Sequence, residues 1–289
     1  YIKRLGDEET IKLKGYDEFK RPKNEPDGPN RKRLWDNKIV SLCLLENYRC
    51  DNNVVTMILN ELKPFKHNNV LEVFNLAFDG YNYYFVRGYY TTELRSYLSH
   101  LRDNGTPLSW SDKLKLTQQV VEGLKYLHDQ NIIHSELHPK NIVIHEGIPK
   151  LTNVWLPQSK SVSFSYSPPE ILLSNDIENK TIKLNIYSLG VLMWEISSDG
   201  LEPFFQNNSV SVKVKLAIDI IKGLRETPVN GTPRKFIDLY SNCWDNEPAI
   251  RPTCKKILDK LKNVSVSEVY HEDKAQNPAS ARTPISNPK

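Results

Sequence analysis

Between Lys38 and Val86 the period of the apolar positions changes twice. Ile39, Val40, Leu42 and Leu44 suit a strand, and Val54 to Phe65 carries apolar residues at helical spacing. Val70 to Phe78 and Tyr83 to Val86 then return to strand character, with Asp79-Gly80 as the turn between them. A small antiparallel sheet with one helix is predicted. Gly88 to Thr92 reads as a connector, after which helical spacing dominates: Glu93 to Leu101, Trp110 to His128, Ile186 to Ser198, Val210 to Gly223, Lys235 to Trp244 and Ile257 to Val264. Ser109 or Ser111 can cap the longest of these helices, and its Leu114, Val120, Val121, Leu124 and Leu127 form one core-facing stripe. Residues 1 to about 33 are charged and broken by Pro22, Pro26, Gly28 and Pro29, so an irregular extension or a degenerate first hairpin is expected there. Beyond Val264 the chain is polar and holds Pro278, Pro284 and Pro288 without an apolar period, the pattern of a disordered tail or linker over 265–289.

Composition narrows the class. The 289 residues carry 39 Lys plus Arg against 35 Asp plus Glu, and a net charge of +4 spread this evenly argues against nucleic-acid or membrane partners. Cys43, Cys50, Cys243 and Cys254 form no Cys-x-x-Cys pair and no metal spacing with histidine, so reduced thiols and an intracellular, cytoplasmic location are expected. No apolar run approaches the roughly 18 residues of a membrane span. The start, Tyr1-Ile2-Lys3-Arg4, is neither a signal peptide nor an initiator methionine, and reads as a piece of a longer protein.

The chemistry concentrates in His134-Ser135-Glu136-Leu137-His138-Pro139-Lys140-Asn141. Downstream lie Tyr166-Ser167-Pro168-Pro169-Glu170, then Asn185-Ile186-Tyr187-Ser188-Leu189-Gly190, then Cys243-Trp244-Asp245-Asn246-Glu247-Pro248 with Arg251-Pro252. In order and spacing these resemble the catalytic loop, the end of the activation segment, the central helix and the terminal signature of a eukaryotic protein kinase, nearest the tyrosine-kinase-like group. The resemblance runs from about Lys38 to Leu261. It implies a two-lobed α+β fold over 34–264, with an N-lobe at about 34–87, a hinge at about 88–92 and a helical C-lobe at about 93–264. It also implies a buried ion pair between Glu170 and Arg251, structural roles for Trp244 and Asn185, and an interlobe stack of Phe65, Val73, His134 and Val154.

Phosphoryl transfer in this family needs a glycine cradle, a strand lysine, magnesium held by carboxylate and amide oxygens, and a residue that orients the hydroxyl. The corresponding positions here are altered. The segment Arg21 to Asn37 holds prolines and charges where a Gly-x-Gly-x-x-Gly loop would lie, and Gly6, Gly15 and Gly28 are isolated. Cys43 occupies the place of the lysine, and Lys38, an odd offset away on the strand, faces the opposite side. Glu61 matches the helix glutamate that pairs with the lysine, and an ion pair from Arg87, at the back of the nucleotide pocket, is expected to replace that partner. Tyr89 falls at the hinge. Asn153, Val154 and Trp155 stand for Asp-Phe-Gly, leaving Asn141 and Asn153 as amide ligands to any metal. Glu136 replaces the catalytic aspartate, its carboxylate displaced by about 1 to 1.5 Å, a misplacement able to cost about a hundredfold in rate. Ser135 replaces the arginine that reads a phosphorylated activation segment, which leaves Ser159, Ser161 and Ser163 as an ordinary polar loop, while His138 is a local loop variant.

The resemblance therefore implies a pseudokinase: a signalling scaffold or allosteric module that binds other proteins, an active kinase among them, with no cofactor. The alternative is an atypical active Ser/Thr or Tyr kinase that uses ATP and Mg²⁺, with Glu136 as base and Lys140 and Asn141 in their family roles.

Overall fold

The computed structural model describes residues 13–20, 31–44, 65–154, 164–174, 181–204 and 210–271. Strands Leu13–Gly15 (β1), Arg31–Trp35 (β2), Lys38–Leu44 (β3), Val73–Phe78 (β4) and Tyr83–Gly88 (β5) form one sheet in the order β1-β4-β5-β3-β2. The expected helix over Val54 to Phe65 lies, apart from Phe65, outside the described residues.

The sheet is mixed, which corrects the antiparallel expectation: β1 runs parallel to β4, while the other pairs are antiparallel. β1 and β4 are not consecutive in the chain, so no hairpin constrains their relative direction. After β1 the chain turns through Tyr16–Glu18 and reaches the opposite edge of the sheet, where Lys20 and Leu34 exchange backbone hydrogen bonds of 3.0 and 2.8 Å. The crossing carries Phe19 into a core with Val40, Leu42, Ala77, Tyr84 and Val86. β2 and β3 meet in a two-residue turn, Asp36-Asn37, with φ of 46° and 57°. Asp and Asn tolerate that left-handed conformation better than most residues, and it matches the twist of the paired strands.

The second lobe holds seven helices among the described residues: Leu94–Asp103 (α1), Trp110–Asp129 (α2), Pro169–Ser174 (α3), Ile182–Ser197 (α4), Val210–Ile221 (α5), Arg234–Cys243 (α6) and Cys254–Leu261 (α7). It also holds a small sheet of Thr92–Glu93 (β6), Ile142–His145 (β7) and Ile148–Leu151 (β8). The expected two-lobed α+β architecture is present. Ser109 caps α2 by accepting from the Asp112 amide, and Val120, Val121, Leu124 and Leu127 of its stripe are buried. α4 begins four residues before its expected start because Thr181 caps it, accepting from the Lys183 amide. α7 is likewise displaced three residues toward the N-terminus by its cap, Thr253.

α4 is the pillar of this lobe, with every residue from Asn185 to Ser197 buried. A Cβ at Gly190 would lie 2.9 Å from the Tyr240 carbonyl and the Trp244 amide, so only glycine lets α6 approach this closely. Two charged clamps tie the surrounding elements to this pillar. Arg251 makes a two-point contact with Glu170 at 2.6 and 2.8 Å. Arg95 of α1 meets Glu195 of α4 at 2.6 Å and the Tyr166 hydroxyl at 2.7 Å, and that hydroxyl donates to the other Glu195 oxygen. Burial pushes the Glu195 carboxyl upward against the opposing pull of Arg95. This second clamp has no counterpart in the sequence reading.

The Arg251 side chain is 0% exposed and that of Glu170 31%. Glu170→Ala strands a buried guanidinium, and the partial exposure of the carboxylate places the expected loss at the lower end of the usual range, about 3 kcal/mol. Urea denaturation checks this; an unchanged midpoint would refute the clamp.

Candidate nucleotide cleft

The cleft between the lobes has a roof built by the alternation of β3 and β5. Cys43 pairs with Phe85 and Ser41 with Arg87, which puts these four side chains on one face. Val40, Leu42, Tyr84 and Val86 take the other face and form the outer core. Lys38 joins that outer side, its ammonium 5.9 Å from the Phe74 ring centre, and Cys43 is a partly buried free thiol.

Arg87 is 4% exposed. One guanidinium nitrogen donates to Thr152 Oγ1 at 3.0 Å and Asn153 Oδ1 at 2.9 Å, and the other to the Tyr90 hydroxyl at 3.2 Å. Arg87 shares a cavity with Phe65, Leu71, Val73, Phe85 and Val154. Its expected partner Glu61 lies outside the described residues, as do Trp155 and Ser159, Ser161 and Ser163. The Tyr90 ring packs with Leu71 of the upper wall and Val143 of the floor. Tyr90 and Thr152 were missed in the sequence because hydroxyls carry no motif; only the tertiary contact reveals them. Tyr89 is partly buried at the mouth, with the Lys32 ammonium 5.1 Å from its ring centre.

Below Arg87 the hydrogen bonds continue into the catalytic loop. Asn153 Nδ2 donates to Asn141 Oδ1 at 2.8 Å, and Asn141 Nδ2 donates to the Glu136 carbonyl at 2.8 Å and to His138 Nε2 at 3.1 Å. Asn153 sits at φ 60°, a left-handed conformation that asparagine adopts more readily than most residues. Glu136 is partly buried and Lys140 exposed.

The loop is anchored from beneath by Asn185, whose Oδ1 accepts from the His134 amide at 3.0 Å and whose Nδ2 donates to the His134 carbonyl at 2.7 Å. These contacts set the histidine tautomer. His134 Nε2 donates to the Thr152 carbonyl at 3.0 Å, so its Nδ1 accepts from the Glu136 amide at 3.3 Å. The ring is neutral: burial, with His138 adding to it, lowers His134 from 6.5 to about 4. Burial, with Lys140 and Arg95 adding to it, does the same to His138.

Magnesium does not fit the residues present. The two amide oxygens at the metal positions already accept hydrogen bonds, from Arg87 and from Asn153. A divalent cation at Asn153 Oδ1 would face the guanidinium within about 5 Å, a repulsion of roughly 7 kcal/mol at an effective dielectric near 20. Among the described residues no cluster of three or more His, Cys, Asp or Glu could hold a metal.

A sequence profile described as protein tyrosine and serine/threonine kinase matches residues 44–261. The chain belongs to the protein kinase family. It is 30% identical over 200 residues to the megakaryocyte-associated tyrosine-protein kinase of Mus musculus, covering 64% of this chain and 38% of that protein. It is 28% identical over 184 residues to a probable LIM domain-containing serine/threonine-protein kinase of Dictyostelium discoideum, covering 60% and 27%. Tyrosine-protein kinase TXK of Homo sapiens is 25% identical over 216 residues, covering 71% and 39%. The chain thus spans well under half the length of these kinases. No helix among the described residues is long and apolar enough to cross a membrane.

The neutral histidines have a pH signature. The unfolded chain takes up protons near pH 6.5 while folded His134 and His138 resist them until about 4, so stability falls as pH drops through that window. In His134→Gln the part of this loss due to position 134 disappears, and the stability difference between pH 7 and pH 5 attributable to these two residues shrinks by about half. Urea titrations at the two pH values measure it, and an undiminished difference would refute the assignment.

Proposed function

We propose that this kinase domain is a pseudokinase, an intracellular scaffold or allosteric module that binds other proteins, an active kinase among them, without using ATP or magnesium. The Arg87 guanidinium carries this reading. It occupies the cleft from the strand next to the one that should supply a lysine, and it takes up the oxygen that magnesium would need. Two further features support it: Tyr90 bridges roof and floor, and Cys43 brings no charge. Loss of several transition-state contacts at about 2 to 4 kcal/mol each would erase most catalysis even with strong non-additivity.

A second reading, an atypical active kinase with Glu136 as base, draws on one observation. The Asn141 amide holds the Glu136 backbone at 2.8 Å, so the catalytic loop keeps an ordered form. Thermal melting with millimolar ATP, with and without Mg²⁺ or Mn²⁺, is expected to show no stabilisation, and radiolabelled phosphate transfer none above background. Transfer that disappears on Glu136→Ala would overturn the pseudokinase reading.

The cleft chemistry adds a less obvious expectation. Asn153→Asp, which restores the family's metal carboxylate, strengthens the bond from Arg87 but removes the donor to Asn141 Oδ1 and sets two acceptor oxygens against each other, so stability should fall by about 1 kcal/mol. It should not create a magnesium response unless Arg87→Leu is added. A Mg²⁺-dependent melting shift in the single variant would sink this account of Arg87.

A further inference from the structure

A groove of about 310 Å³ lies in the helical lobe between the start of α4 and the loop leading into α7, and shares no lining residue with the cavity at Arg87. The groove is lined by Lys183, Lys256 and Lys260, with Asn242 and Thr253 as neutral polar residues. None of its described lining residues has a carboxylate. The one further cation, Arg251, has its guanidinium committed to Glu170, so the pair contributes little net charge.

This arrangement works against folding. Lys256 and Lys260 are four residues apart on one face of α7, a spacing at which like charges repel. Lys183 donates to the Arg251 carbonyl, which fixes its ammonium at the groove wall. Its amine is lowered below the usual lysine value by burial first, then by the positive charges of Arg251 and Lys256. A concave site with convergent cations and no internal counter-ion favours a compact, multiply charged anion. The volume is at the lower limit for small-molecule pockets and admits a phosphate group together with part of the residue that carries it. Ile250, 59% exposed at the rim, offers an apolar surface beside the charges.

We propose that this groove binds a phosphomonoester dianion, presented as a phosphorylated side chain of a protein, with Lys183, Lys256 and Lys260 as the charge contacts and Ile250 against the neighbouring peptide residue. The site is independent of the cleft and of whether the domain transfers phosphate.

The test is an NMR titration of the uniformly ¹⁵N-labelled chain at constant ionic strength, following the amides of Thr253 to Lys256. The probes are inorganic phosphate, a phosphoserine peptide with one flanking leucine, and the same peptide without phosphate. Saturable shifts with the phosphopeptide, at least about tenfold weaker in Lys256→Gln/Lys260→Gln, are the expected result, since two of three charge contacts are gone. Both substitutions lie on the exposed face of α7 and keep its helix-forming character. An affinity for inorganic phosphate equal to that for the phosphopeptide would keep the anion site and make free phosphate its source. Absence of saturation by either phosphate probe, or equal binding of the unphosphorylated peptide, would overturn the proposal. So would equal binding by the double variant, whose fold is verified by an unchanged melting curve.

Discussion

A guanidinium cannot be withdrawn from water without acceptors to replace it, and Arg87 is almost wholly withdrawn. It finds acceptors on both sides of the cleft: Tyr90 at the hinge, and Thr152 and Asn153 at the end of β8 in the other lobe. Much of the site's geometry follows from that demand. Asn153 is held with its oxygen toward Arg87, which turns its amide nitrogen toward Asn141. Asn141 in turn directs its own nitrogen to the Glu136 carbonyl and His138. The chain of donors runs in one sense from β5 to the catalytic loop, and the oxygens at the two metal positions accept within it. A cleft that in the family closes around nucleotide and metal is here joined by its own side chains.

The lower half of that chain rests on α4. Asn185, near the helix start, holds both backbone groups of His134, and Glu195, near its end, holds Arg95 and Tyr166. Between them the helix is buried on all sides, so the loop and the end of the activation segment are referred to one rigid element. Asparagine in place of aspartate suits this setting. It keeps two hydrogen bonds to the loop, adds one from His128 at 3.1 Å, and places no charge beside the neutral imidazoles. The kinase architecture is thus maintained by contacts that do not require the reaction.

Many of the elements could be read from periodicity alone, because strands with one buried face and helices with one buried stripe announce themselves at periods of two and near four. The strands around Val40 and Phe85 and the helices α1, α2, α5 and α6 fall where the apolar pattern puts them. What escaped were elements too short to show a period. β7 and β8 have four residues each, and their turn, Glu146-Gly147 with both φ positive, was the available signal. Helix starts were misjudged where Thr181 and Thr253 extend a helix beyond its first apolar residue. The strand β1 has three residues and pairs with a strand some sixty positions away, which no local pattern can convey.

The candidate site divides along the same line. Which residues we propose for the chemical positions followed from the order of residues: cysteine at the lysine place, asparagine at the metal aspartate, glutamate at the base, and arginine on the hinge strand. A side chain's chemistry travels with its name, so the charge each would bring was legible there. Where those groups point, and what they bond, was decided by tertiary structure. The pairing of β3 with β5 put Arg87 on the cleft face beside Ser41, and the closing of the lobes brought Thr152, Asn153 and Tyr90 within reach of one buried cation that had to be satisfied.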